Sequence, residues 1–145
     1  MAKKVLDPAE ALGLTEHQIE AVILDYLGTI ENGYPCKIVC NGAIKKMPGG
    51  KIILVPQQNK YFRKGMSDIL FLHPKKIFWF EVKTHDDYDF INRRIDFLRD
   101  TIHTDKTYIR WQNQIKFRDS MRILGYCAEF VESLNQVKQL VLRWI

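Results

Sequence analysis

The stretch DILFLHPKKIFWFEVK, residues 68–83, decides how this chain is read. Two apolar runs, Ile69 to Leu72 and Ile77 to Phe80, flank His73-Pro74-Lys75-Lys76. Short apolar runs bounded by turn residues read as strands, and the turn between them makes a hairpin. Both runs are apolar at nearly every position rather than alternating. That pattern marks strands covered on both faces, hence a sheet sandwiched by helices. With the turn centred between Pro74 and Lys75, Asp68 falls opposite Glu81, their Cβ atoms roughly 4.5–5.5 Å apart. Lys83 lies two positions past Glu81 and points to the same face.

Two directly opposed carboxylates repel each other and destabilise a bare hairpin. A divalent cation between them removes that repulsion. Mg²⁺ is held by one or two carboxylates together with waters and phosphate oxygens. Lys83 then completes the set by orienting a water or stabilising charge on a phosphate. The plainer reading pairs Asp68 and Glu81 with surface cations, and a slip of one residue in the register would separate them.

Outward from the hairpin the chain alternates helical and strand patterns, which predicts one α/β domain over residues 1–145. Thr15-x-x-Gln18 reads as a capping box. Ile19, Val22, Ile23, Tyr26, Leu27 and Ile30 follow at helical spacing, until Asn32-Gly33 and Pro35 stop the helix. Glu16 and Glu20 share a narrow arc of that helix with Ile23 and Leu27. Glu16 has two readings: a third carboxylate of a metal site, or an acid placed by the helix dipole. Short strands are expected at Lys37 to Cys40 and Ile52 to Val55, with turns at Asn41-Gly42 and Met47 to Gly50. Gln57 to Gly65 is a basic loop. Past the hairpin, Tyr88, Ile91, Ile95, Leu98 and Ile102 form a 3-4-3-4 apolar pattern. A helix from near Thr107 to Leu124, a strand over Tyr126 to Val131 and a helix capped by Ser133-x-x-Gln136 complete the chain. Gln114 shares a helix face with Phe117, Met121 and Leu124, and a buried Gln needs partners for its amide.

The 145 residues suffice for one domain. At 46% hydrophobic and 27% charged, the composition excludes disorder and low complexity. No apolar run approaches the roughly 18 residues of a membrane span. The net charge of +5 permits a nucleic-acid partner without requiring one. Cys36, Cys40 and Cys127 form no C-x-x-C pair, so neither a disulfide framework nor a structural zinc site is expected. Free thiols and an N-terminus without an apolar core fit a cytoplasmic protein, nucleoid-associated or phage-encoded settings included.

At these residues the sequence resembles the VRR-NUC family, the virus-type replication-repair nuclease domains of the PD-(D/E)xK superfamily. Five pieces come in the family's order: Thr15-Glu16-His17-Gln18-Ile19, Asn41-Gly42, Lys64-Gly65-Met66-Ser67-Asp68-Ile69, Phe80-Glu81-Val82-Lys83, and Gln114-x-x-Phe117 followed by Gly125. The resemblance implies a restriction-endonuclease-like αβββαβ core over about residues 15–141. It implies Mg²⁺- or Mn²⁺-dependent hydrolysis of DNA phosphodiesters, on branched, flap or Holliday-junction substrates, in replication, repair or recombination. Carried over, Glu16, Asp68 and Glu81 would be metal carboxylates and the Val82 carbonyl a backbone ligand. Lys83 would position the attacking water and Gln114 would support the site.

Lys83 and Gln114 are more widely separated than is usual in the family, which marks about residues 85–107 as an inserted helix. Its apolar spacing resembles two heptads of a coiled-coil seam. Its own core and a second subunit of a homodimer are both candidates to cover it. The insertion also leaves Gln112 as an alternative to Gln114. Lys60, Arg63 and Lys64 lead into Asp68 and could hold a DNA backbone, with Lys45, Lys46 and Lys51 extending the surface; such contacts are salt-sensitive and not sequence-specific. The leading expectation is thus a DNA endonuclease. The alternative is a catalytically inactive DNA-binding or assembly module on the same fold. A hydrolase of small phosphoesters is disfavoured, because His17, His73, His85 and His103 are scattered.

Overall fold

The structure, a computed structural model, describes residues 14–38, 43–46, 52–55 and 65–145. Its elements are α1 (Glu16–Leu27), β1 (Tyr34–Lys37), β2 (Ala43–Lys46), β3 (Ile52–Val55), β4 (Ile69–His73), β5 (Lys76–Val82), α2 (His85–Arg93), α3 (Ile95–Asp100), α4 (Lys106–Ile123), β6 (Cys127–Val131) and α5 (Leu134–Trp144). The fold is mixed α/β. Among the described residues, four strands form one sheet in the order β1-β4-β5-β6, while β2 and β3 pair separately. β1, β4 and β5 run antiparallel in sequence of neighbours, and β6 runs parallel to β5. A parallel pair needs a long crossover, and α2, α3 and α4 supply it.

The hairpin register is the expected one: Ile69 faces Phe80, His73 faces Lys76, and Pro74 and Lys75 form the turn. One face of the sheet is dry. Ile69, Phe71, Phe78, Phe80 and Val82 are wholly buried there against Ile19, Ile23 and Leu27 of α1 and Val137 and Val141 of α5. The other face receives α4, where the Phe117 ring meets Trp79 edge-on at 5.1 Å between centroids. Coverage is thinner over β4, so Leu72 remains 38% exposed. Helices therefore lie on both faces, as the unbroken apolar runs predict, but the second face is only partly closed among the described residues.

Three elements depart from expectation. Helix α1 ends at Leu27, although Ile30 still packs on the core beyond it. The described strand near Lys37 is Tyr34–Lys37, with Pro35 inside it, and Val39 and Cys40 of the strand expected at Lys37 to Cys40, like the turns expected at Asn41-Gly42 and Met47 to Gly50, lie outside the described residues. Proline is tolerated because, among the described residues, β1 is an edge strand with β4 as its one sheet neighbour. The inserted segment is two short helices broken at Arg94, not one. Its Ile91 and Leu98 are fully buried against Trp111, Ile115 and Phe130. The apolar positions thus face the protein's own core, and no second subunit is needed to cover them. Ile102, the last residue of the pattern, is 99% exposed and lies beyond α3.

Helix α4 stops where Gly125 allows it. Gly125 has φ +90°; its N–H donates to the Arg122 carbonyl and that of Tyr126 to the Met121 carbonyl. This is the paired closure that a left-handed residue makes at a helix end. Among the described residues no helix is long and apolar enough to cross a membrane.

Candidate functional site

The hairpin ends where its charges begin. Continuing the observed register past Ile69 and Phe80 sets Asp68 beside Glu81. Asp68 substitutes its side chain for ladder pairing: its Oδ2 accepts the Val82 N–H at 2.9 Å. Its backbone carbonyl turns to the other neighbour and accepts the Ile38 N–H at 2.7 Å. In an extended strand the N–H and C=O of one residue face the same side, so the Val82 carbonyl also faces the Asp68 side.

Across the hairpin, Glu81 and Lys83 are 4% and 2% exposed. The Glu81 Oε1 is held twice, by the Gln114 Nε2 at 2.9 Å and the Lys83 ammonium at 3.3 Å. Lys83 is itself fixed by its backbone N–H, which donates to the Val131 carbonyl of β6 at 2.9 Å. The Glu81 Oε2 and the Gln114 Oε1 are buried and have no hydrogen-bond partner among the described residues. One carboxylate oxygen is therefore anchored by two donors and the other meets no donor among the described residues, while the Asp68 carboxyl stands in hydrogen-bonding reach of Glu81. Orphaned buried acceptors are costly, and in native sites they call for a water, an ion or a proton.

The electrostatics agree with that demand. Burial pushes the Glu81 carboxyl well above its usual range; the Lys83 ammonium opposes the rise and the Asp68 charge adds to it. Asp68 is also raised, chiefly by burial, against the Val82 hydrogen bond and the Lys83 charge. The cluster thus holds two carboxyls against one ammonium in a desolvated place.

Glu16 approaches from α1. Thr15 caps that helix as the capping-box pattern predicts, with its hydroxyl accepting the Gln18 N–H at 3.3 Å and its own N–H reaching the Gln18 Oε1 at 3.0 Å. This places Glu16 in the first turn, half-buried, with its carboxyl raised by burial and by the Asp68 and Asp87 charges, and lowered by Lys83 and Arg110. Glu16 thus feels the cluster, yet no group of three metal-ligating side chains assembles among the described residues.

Sequence reasoning left Glu20 out of the site. It is buried at 6% exposure, its Oε1 lies 3.1 Å from the Lys37 ammonium without hydrogen-bond geometry, and its charge raises Asp68. The available signal was its place one turn after Glu16 on the arc of Ile23 and Leu27. Asp87 and Arg110, also near Glu16, carry no such signal, because the crossover that brings them there is a tertiary feature.

The two glutamines separate cleanly. Gln112 donates to the Arg99 and Thr101 carbonyls at 3.1 and 2.9 Å and closes the end of α3. Gln114 is the one that reaches Glu81. Lys45 and Lys46 belong to β2. Lys51, Lys60, Arg63 and Lys64 lie outside the described residues.

These residues suit a hard divalent cation. Asp68 and the Glu81 Oε2, which meets no donor among the described residues, offer two carboxylate oxygens and Val82 a carbonyl on the same side, and Mg²⁺ needs few protein ligands because it keeps several waters. Set against family models, curated proteins and solved structures, the chain matches none of them.

Proposed function

We propose that the protein is a divalent-metal-dependent deoxyribonuclease of the VRR-NUC type, hydrolysing phosphodiester bonds in branched, flap or junction DNA during replication, repair or recombination. The observation that carries this reading is the Glu81 carboxylate, buried beside Asp68 with one oxygen anchored by Lys83 and Gln114 and the other without a partner. The succession α1, β1, β4, β5, α4, β6, with two antiparallel pairings and one parallel, supports it as well. We read this succession as the αβββαβ arrangement the resemblance implies, with β2, β3, α2, α3 and α5 added.

Asp68, Glu81 and the Val82 carbonyl would hold Mg²⁺ or Mn²⁺, and Glu16, whose carboxyl feels the Lys83 and Asp68 charges, would act through a water. The ion would supply a water of lowered pKa and charge to offset the phosphate. Lys83 donates from a fixed position: one contact goes to Glu81, and its remaining protons are free to orient a water or a phosphate oxygen. Gln114 holds Glu81 through its amide nitrogen, and its oxygen is an acceptor for a water proton. Burial strengthens each of these interactions. The basic loop of Lys60, Arg63 and Lys64, with Lys45 and Lys46, is the proposed DNA-backbone contact.

The test is cleavage of plasmid, flap and four-way-junction DNA with Mg²⁺ or Mn²⁺, beside Asp68→Ala and Lys83→Ala. Cleavage by the wild type that both variants lose is the expected result. Equal cleavage by all three identifies a contaminant and defeats the proposal. Binding without cleavage favours the inactive DNA-binding module instead.

A further inference from the structure

Gly65 lies three residues before Asp68 on the loop that delivers it, and it has φ +90°. Its back lies directly on helix α4. A methyl group there would stand 2.5 Å from the backbone carbon and oxygen of Asn113 and 2.8 Å from the backbone nitrogen of Gln114. Those are helix backbone atoms, so no side chain can rotate out of the way. The contact falls at the very residue whose amide reaches Glu81.

Gly125 provides the comparison. It has the same φ of +90°, yet a methyl group there would meet nothing within 4 Å. Handedness of the backbone is common to both glycines; close approach to a helix belongs to Gly65 alone. One turn past Gln114, Phe117 packs on Trp79, so α4 keeps a second anchor to the sheet when the Gly65 contact is disturbed. A side chain at position 65 would lift the helix at Gln114 without detaching it.

We infer that Gly65 is a positioning residue: its missing side chain seats α4 on the Asp68 loop at the depth where Gln114 holds the Glu81 Oε1. This rests on the nuclease reading for its consequence in catalysis, but the geometry stands on the Gln114–Glu81 contact. The loop and the helix are thereby set against each other, and the two halves of the site, Asp68 on one and Gln114 on the other, move together.

The experiment compares Gly65→Ala, Gln114→Ala, the double variant and Gly125→Ala. Three readouts are taken: the Mn²⁺-dependent thermal shift, kcat and KM on a junction substrate, and hydrogen exchange of the Gln114 side-chain amide by NMR. Gly65→Ala is expected to lower Mn²⁺ affinity and kcat about 10–100-fold, as loss of an outer support does, with KM little changed. The double variant should match Gln114→Ala within about twofold, because residues acting through one contact are not additive. Gly125→Ala should leave all three readouts at the wild-type level. The Gln114 amide should be protected in the wild type and exchange freely in Gly65→Ala, which tests the contact even in a chain that cleaves no DNA. The inference is overturned if the losses multiply in the double variant, if the amide stays protected in Gly65→Ala, if Gly125→Ala disturbs the metal response equally, or if Gly65→Ala fails to fold. A folding failure would make the glycine a requirement of the whole domain rather than of the site. Absent cleavage by the wild type, with the amide result intact, counts against the nuclease reading alone.

Discussion

Replacing Glu81 by Gln should stabilise the metal-free protein and abolish its response to Mg²⁺. The charged cluster has two carboxyls and one ammonium, so a neutral residue at 81 leaves Asp68 and Lys83 balanced. The two carboxyls stand in hydrogen-bonding reach of each other, so at ~4 Å and an effective dielectric of ~20 the repulsion between their ionised forms is about 4 kcal/mol. Gln keeps an acceptor for Gln114 and Lys83 but loses the ionic part of the Lys83 contact, which offsets part of the gain. A net rise of ~1–2 kcal/mol corresponds to ~2–8 °C in Tm for a domain of this size. In the wild type, Mg²⁺ at tenfold its Kd should add ~1.4 kcal/mol. The pH dependence carries the same sign. Burial raises Glu81, so the folded chain binds more protons than the unfolded one above the ordinary glutamate value of about 4.3. Metal-free stability therefore falls as pH rises through that window, and Glu81→Gln should flatten the fall. Differential scanning calorimetry between pH 4 and 8 (about the range in which carboxylates and their shifted forms titrate), with chelator or Mg²⁺, measures all of this. A metal-free Glu81→Gln protein less stable than wild type at pH 8, or an Mg²⁺ shift retained in it, would refute the reasoning.

Phe80→Ala removes a fully buried ring from the face shared by α1 and α5, and urea unfolding should show a loss of ~3–5 kcal/mol. Thr15→Ala deletes the capping box of α1; a loss of ~0.5–2 kcal/mol is expected, and a loss below the error of the measurement would mean the cap is not formed in solution. Gly125→Ala carries only the conformational cost at φ +90°, expected at ~1 kcal/mol or slightly more. Burial pushes the Cys127 thiol up to about 11, so alkylation at pH 8 followed by peptide mapping should leave Cys127 unmodified until denaturant is added.

The hairpin and its charges were legible in the sequence because their determinants are local. A two-residue turn fixes the register, and the register fixes Asp68 against Glu81. The caps at Thr15 and Ser133 were legible for the same reason, since each joins residues three apart. What was not legible depends on the third dimension. The 3-4-3-4 pattern of the insertion is equally good as a seam or as a core face, and only the fold of α2 and α3 back onto α4 decides it. Pro35 reads as a stop until β1 is known to be an edge. The choice between Gln112 and Gln114 turns on which side of α4 meets the sheet, and the helical pattern alone puts both at plausible angles.

The same division explains why Glu20 escaped notice while Glu16 did not. An acid in a first turn is visible by position, through the dipole and the cap. An acid one turn later is visible only by what buries it. Glu20 is buried, lies 3.1 Å from Lys37 of an edge strand and acts on Asp68, so its environment is assembled by the packing of α1 on the sheet and not by its neighbours along the helix. Counting it, the end of the sheet gathers Glu16, Glu20, Asp68 and Glu81 against Lys37 and Lys83. A protein with net charge +5 thus concentrates negative charge where burial makes it most costly. Stability alone would select against that arrangement. The cation site proposed at the carboxyl end of β5 would have use for it.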